Sequence, residues 1–179
     1  KLNDKNGKLI KKFGKSGSID IKTPYSPVIF EENLVVVGRN HVFGFNKLSG
    51  KLNFKIQIFT EKKFMGALPW GGMALDEDRG IVFIPTGNPR PKVYGVKRQG
   101  PNNGANSIIA LDLVNKKKIW EFKETFHDLW NLDLAFPPIL TTLKFENKKY
   151  DVLIAATKVG NIILLERTSG KPIFDINFI

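Results

Sequence analysis

The sequence predicts an all-β protein built from repeated antiparallel sheets, and three observations carry that expectation. Apolar residues alternate with polar ones at a period of two over short stretches. Turn signals rich in Gly, Asn, Asp and Ser separate those stretches at close intervals. No long stretch sustains a helical period. In chain order, strands are expected at 28–30 (VIF), 34–38 (LVVVG), 42–46 (VFGFN), 52–57 (LNFKIQ) and 81–85 (IVFIP). They continue at 107–112 (SIIALD), 118–122 (KIWEF), 152–156 (VLIAA) and 161–166 (NIILLE). The turns between them are Glu31-Glu32-Asn33, Leu48-Ser49-Gly50, the run from Asp76 to Gly80, Asn115-Lys116 and Thr168-Ser169-Gly170.

One unit recurs along the chain. Asn3-Asp4-Lys5-Asn6-Gly7-Lys8 returns as Asn46-Lys47-Leu48-Ser49-Gly50-Lys51 and as Glu166-Arg167-Thr168-Ser169-Gly170-Lys171, with a degenerate copy from Asp112 to Lys117. Each copy ends a strand on a polar residue and turns tightly, usually through Gly-Lys, where glycine supplies a positive φ without strain. Eight residues after the polar position stand Phe54, Trp120 and Phe174, aromatics suited to docking on a neighbouring repeat. The spacing of 43 to 66 residues fits propeller blades with inserted loops of varied length.

The bulk composition sets bounds. With 179 residues, 42% of them hydrophobic, the chain can bury one sizeable core or share in a larger one. No apolar run has the length of a membrane-spanning helix. The start, Lys1-Leu2-Asn3-Asp4, lacks both an initiator Met and a leading apolar block, and reads as a cut into a longer chain. The net charge of +11 is carried mainly by lysines at turns and strand ends, such as Lys11-Lys12, Lys62-Lys63, Lys116 to Lys118 and Lys148-Lys149. Guanidinium comes only from Arg39, Arg79, Arg90, Arg98 and Arg167, without the clustered Arg and interleaved aromatics of a nucleic-acid surface, so no nucleic-acid partner is expected. Zero Cys excludes disulfides and thiolate metal sites, and His41 and His127 stand too far apart to seed a zinc site. No phosphate-cradling loop or nucleophile elbow is present. Gly14-Lys15-Ser16-Gly17 reads as a surface turn.

The stretch FHDLWNLDLAFPP, from Phe126 to Pro138, suits neither a helix nor a strand. It reads either as a functional loop held by a rigid scaffold or as a structural corner, with Trp130 and Phe136 in a core and Asp128 capping a turn.

Several segments together resemble the quinoprotein dehydrogenases that use pyrroloquinoline quinone (PQQ). Ala110-Leu111-Asp112 with Trp120 is similar to that family's tryptophan-docking unit, and Tyr25-Ser26-Pro27-Val28 with Leu34 to Gly38 is similar to an early blade. Trp70-Gly71-Gly72-Met73, leading to Pro85-Thr86-Gly87-Asn88-Pro89, resembles its cofactor-floor segment. His127-Asp128-Leu129-Trp130 followed by Thr157-Lys158-Val159-Gly160-Asn161 resembles the active-site segment of the membrane glucose dehydrogenase branch. The resemblance covers nearly the whole chain and implies about half of an eight-bladed β-propeller, roughly four blades over 1–179 and incomplete at both ends.

The resemblance also implies roles. Trp70 would lie against the quinone ring, its plain alternative being a core or docking Trp. Asn88 would ligate a divalent metal, Ca²⁺ or Mg²⁺, its alternative being a turn Asn. Lys158 would contact the quinone oxygens, its alternative being one more solvated Lys. The implied reaction is hydride transfer from an alcohol or sugar to the quinone, with a carboxylate as general base directly after the Trp of His-Asp-Leu-Trp. That position is Asn131, which orients a hydroxyl but lacks the basicity to take its proton. Asp133, two residues on, would face the same side of an extended stretch and stand in as base. Asp128 is the more structural carboxylate. A second departure is the short turn Val37-Gly38-Arg39-Asn40-His41-Val42, where relatives carry a glutamate ligand. Both acidic ligands are thus missing, which weakens metal binding. The expected partners are a sugar or alcohol and the remaining blades or another copy of the chain, which would cover open sheet edges. A membrane link would come only through segments outside this chain. The resemblance implies a periplasmic location. The alternative function is a non-catalytic propeller of the same ancestry, serving as a scaffold or interaction module.

Overall fold

The computed structural model describes residues 1–23, 25–38, 40–59, 65–134 and 136–175. Three antiparallel sheets follow one another along the chain. The first joins β1 (Val28–Phe30), β2 (Asn33–Gly38), β3 (His41–Asn46) and β4 (Leu52–Gln57) in sequence order. β5 (Met65–Gly66) lies outside it and pairs with β8 (Pro89–Arg90). The second sheet joins β6 (Ala74–Asp76), β7 (Ile81–Pro85), β9 (Ser107–Asp112) and β10 (Lys117–Lys123), again up and down. The third joins β11 (Ile139–Phe145), β12 (Lys148–Ala156) and β13 (Ile162–Glu166), and a bridge from Leu165 to Pro172 begins a fourth strand. Before β1, bridges Leu2–Leu9 and Lys15–Ser18 make small hairpins. Among the described residues the one helical piece is a 3₁₀ turn at Gly95–Arg98.

All nine expected strands are present, most with ends shifted by a residue or more. Four were not anticipated. β5, β6 and β8 are two or three residues long, too short for periodicity to register. β11 has the sequence ILTTLKF and no fully buried residue, so it lacks the clean alternation of a strand with one face in the core. Arg39, Lys62 and Lys63 lie outside the described residues; the β2–β3 pairing runs as far as Gly38 opposite His41.

The cores sit between sheets. Val82 and Ile84 of β7, with Ile109 and Leu111 of β9, pack against Val35, Val42 and Phe54 of the first sheet. The intervening residues Ile81, Phe83, Ile108 and Ala110 face the third sheet, meeting Leu153, Ala155, Ile163 and Leu165. A strand buried on both faces reads as an unbroken apolar run, which is why IVFIP and SIIAL carry no polar alternation.

The repeated turns are superimposable in their bonding. Gly7, Gly50 and Gly170 take φ of 67°, 74° and 69°, and each donates its N–H to the carbonyl four residues back. In the degenerate copy Lys116 takes φ 58° at the same place. An aromatic from the preceding unit covers each of the later turns. Phe13 packs on Gly50, Lys116 lies over the Phe54 ring, and Trp120 covers Gly170 while donating its indole N–H to Arg167 O at 2.9 Å. Phe13 is the docking aromatic of the first copy, missed in the sequence because it falls ten residues after Asn3 instead of eight.

Candidate functional site

All the long connections leave the same end of the sheets: 67–73 before β6, 86–106 between β7 and β9, 124–138 between β10 and β11, and 157–161 between β12 and β13. The opposite end carries the repeated turns at 47–51, 113–116 and 167–171. That asymmetry gathers Trp70, Asn88, Asn131, Asp133 and Lys158 from four loops into one cluster, and Asp133 is its centre.

Asp133 is 1% exposed and is followed by Leu134, which is buried in the core between the second and third sheets. Its Oδ1 accepts the Asn88 backbone N–H at 2.9 Å. Its Oδ2 accepts the Trp70 indole N–H at 2.8 Å and lies 3.6 Å from Lys158 Nζ. Lys158 also donates to the Asn131 carbonyl at 3.2 Å and lies 5.1 Å from the centre of the Trp70 ring. Trp70 itself is 45% exposed and tilts towards Phe136, with ring centres 6.4 Å apart. Neither a core role for Trp70 nor a freely solvated role for Lys158 fits these contacts. Gly87 lets the parts close up: a Cβ there would lie 3.3 Å from Trp70 Cδ1 and 3.4 Å from the Asp133 carboxyl.

Asn88 is buried and does more than turn the chain. Its Nδ2 donates to the carbonyls of Lys92 and Asp128 at 2.8 and 3.1 Å. Since both partners are acceptors, the amide orientation is fixed, and Oδ1 is left buried with no donor among the described residues. Asn131 Oδ1 is likewise buried and has no partner among the described residues. Asn131 takes φ 59°, a left-handed conformation that Asn tolerates better than most residues. The stretch around it is therefore not extended, and Asp133 reaches the cluster through a turn and not by strand alternation.

Asp128 makes that turn. Its Oδ1 accepts the Trp130 N–H at 2.7 Å, and its Oδ2 accepts the Leu132 N–H at 2.6 Å and Asn106 Nδ2 at 2.7 Å. The capping role anticipated for Asp128 is present, but Trp130 is 82% exposed and Phe136 is also exposed, so neither plugs a core. His127 donates from Nδ1 to Gly100 O at 2.7 Å. Gly95 makes room for this loop, because a Cβ there would fall 2.4 Å from His127 Nε2 and 2.5 Å from Leu129 Cδ2.

Two residues beneath the cluster were not singled out in the sequence. Arg98 is 1% exposed and donates to the carbonyls of Pro91, Lys92 and Asp128 and to Asn102 Oδ1, tying the 86–106 loop to the 124–138 loop. Burial lowers its pKa, against the pull of the Asp128 charge. Glu124 directly follows β10 and accepts Asn161 Nδ2 at 3.1 Å, which holds the Lys158 turn, while its Oε2 is buried with no hydrogen-bond partner among the described residues. Burial pushes the Glu124 carboxyl up, more than the bonds from Thr157 and Asn161 pull it down, and the Asp128 charge adds to the rise. Nothing local marks either residue: Arg98 sits in the polar run Lys97-Arg98-Gln99, and Glu124 between Lys123 and Thr125. Among the described residues no three His, Cys, Asp or Glu side chains form a metal cluster.

The family described as glucose/ethanol/alcohol dehydrogenase, beta-propeller domain (PQQ), matches residues 1–178. The quinoprotein glucose dehydrogenase of Escherichia coli is 26% identical over 207 aligned positions, covering 95% of this chain and 26% of that protein. The quinohemoprotein alcohol dehydrogenase of Comamonas testosteroni is 34% identical over 118, covering 64% and 16%. The crystal structure of the Comamonas protein superimposes with a TM-score of 0.73 at 23% identity, over 87% of this chain and 28% of that one. The chain thus spans about a quarter or less of the length of these curated relatives.

Proposed function

As the chain belongs to the PQQ glucose/ethanol/alcohol dehydrogenase β-propeller family, we propose that it forms part of the cofactor pocket of a quinoprotein dehydrogenase that oxidises a sugar or an alcohol. The observation that carries this reading is the meeting of Trp70, Asn88 and Lys158 on one buried carboxylate. PQQ, when bound, supplies a quinone that takes two electrons from the substrate carbon.

The residues present fit such a group. Trp70 offers a nearly half-exposed aromatic ring with its N–H turned back into the protein, a surface for a planar cofactor. Lys158 holds a positive charge beside that ring, where it would steady negative charge on quinone oxygens. Asn88 Oδ1 and Asn131 Oδ1, both buried acceptors without donors among the described residues, would serve a hard cation such as Ca²⁺ or Mg²⁺ as neutral ligands. With no carboxylate among those two, the expected metal affinity is low. Asn131 orients a substrate hydroxyl and does not accept its proton.

A second reading, a non-catalytic propeller acting as a scaffold, is favoured by Asn131 and by the lack of an acidic ligand in the sequence of the short turn at 37–42. Under either reading the remaining blades or another copy of the chain would cover the sheet edges, and the protein would work in the periplasm. The test is the full-length protein mixed with PQQ and Ca²⁺ or Mg²⁺, with dye reduction followed on glucose and simple alcohols. Saturable PQQ binding with substrate-dependent dye reduction is expected. Binding without turnover would favour the scaffold reading, and no PQQ binding would overturn the proposal.

A further inference from the structure

A general base needs a lone pair that the substrate hydroxyl can reach. Asp133 does not offer one. It is 1% exposed, its Oδ1 is engaged by the Asn88 backbone N–H, and its Oδ2 by the Trp70 indole N–H with Lys158 Nζ alongside. Its neighbour Leu134 is buried in the core, which anchors the backbone on which Asp133 stands. The side chain is therefore held from both directions, by the core beneath and by donors from three other loops.

We propose that Asp133 is a positioning residue: its carboxylate fixes the edge of the Trp70 indole, the Asn88 turn and the Lys158 ammonium relative to one another, and so presets the quinone-binding surface. This rests on the cofactor reading above. The argument is geometric. A tryptophan ring with an exposed face can rotate about its side-chain torsions, and the bond from Nε1 to a buried anion removes that freedom before anything binds. A lysine on a surface turn samples many rotamers. An anion 3.6 Å away and a carbonyl at 3.2 Å select the one that places Nζ beside the ring. Gly87 belongs to the same device, because any side chain there would crowd both the indole edge and the carboxyl group. Asp133 thus spans the seam between the second and third sheets, linking loops before β6, after β7 and after β12.

The test uses the full-length protein carrying Asp133→Asn. Its Trp70 indole N–H resonance is expected to shift upfield and exchange with solvent faster, while those of Trp120 and Trp130 stay in place. PQQ affinity is expected to fall at least tenfold. Unchanged PQQ affinity with turnover abolished would identify Asp133 as the base and overturn the proposal. If the wild-type protein binds no PQQ, the dehydrogenase reading fails on its own, and the indole resonance still decides: an unmoved Trp70 signal sinks the positioning role. If Asp133→Asn does not fold, replacing Trp70 by benzothienylalanine keeps the bicyclic ring and exchanges only the N–H for sulfur; a several-fold loss of PQQ affinity supports the proposal, and wild-type affinity overturns it.

Discussion

The Trp120 ring lies so close to Gly170 that a Cβ on that glycine would sit 2.5 Å from it, and the indole N–H reaches over to the carbonyl of Arg167 at 2.9 Å. One aromatic residue at the outer edge of the second sheet therefore clamps the last turn of the third. Gly170 also holds φ 69°, so a side chain there meets both a steric and a backbone penalty. Gly170→Ala is expected to lower stability by about 2 kcal/mol or more. Trp120→Phe, which keeps most of the ring and loses the hydrogen bond, is expected to lose about 1 kcal/mol. Denaturant midpoints of the two variants would check both the sizes and their order.

Asp76 joins the second and third sheets at the tight-turn end. It accepts from Arg79 at 3.0 Å and from Arg167 at 2.9 Å, and Arg79 also pairs with Asp151. Burial pushes the Asp76 carboxyl up, but the bonds from Arg167 and Arg79 together outweigh it and hold the group below its ordinary range. A depressed pKa means stability that is fully present above the unfolded-state value and lost as pH falls through the folded value. Asp76→Asn should cost about 2–3 kcal/mol at neutral pH and flatten the acid limb of a stability profile. An acid limb as steep as that of the parent would count against this network.

Glu124 has the opposite sign. Its pKa is raised by burial, so the folded state holds a proton that the unfolded chain has already released. Stability should therefore fall as pH rises from the unfolded value to the folded one, then level off. Glu124→Gln keeps an oxygen acceptor for Asn161 and removes the buried charge. Thermal melts should show the variant more stable than the parent at neutral pH and little different at acid pH. Equal melting temperatures at neutral pH would refute the account.

Asn131 sits in a left-handed conformation that Asp also adopts, and its carbonyl is held by Lys158. Asn131→Asp should fold normally and return a carboxylate to the position of the expected base. Dye reduction with sugar or alcohol in the full-length protein should rise by about a hundredfold. A folded, PQQ-binding variant with no gain would show that the missing base is not what limits this protein.

Much of the molecule was legible without coordinates because it is written in local periodicity. The strands, the repeated Gly-Lys turns and the docking aromatics Phe54 and Trp120 follow from spacing alone, since a residue's face in a strand is set by its parity. The site candidates Trp70, Asn88, Asn131, Asp133 and Lys158 could be named from motifs. Their mutual contacts could not, because those contacts run between residues 25 to 88 positions apart in the chain.

What the sequence determined by itself was the kind of fold, the family and the loops that matter. The tertiary structure alone decided which carboxylate the cluster closes on. Asp128 and Asp133 are indistinguishable by type, yet the first is taken up by its own turn and Asn106 while the second meets donors from three other loops. Arg98, one more basic residue in the sequence, is buried because backbone carbonyls of two loops converge on it. The difference is physical: periodicity records which way a residue points from its own strand, whereas burial and charge pairing depend on where the other loops arrive.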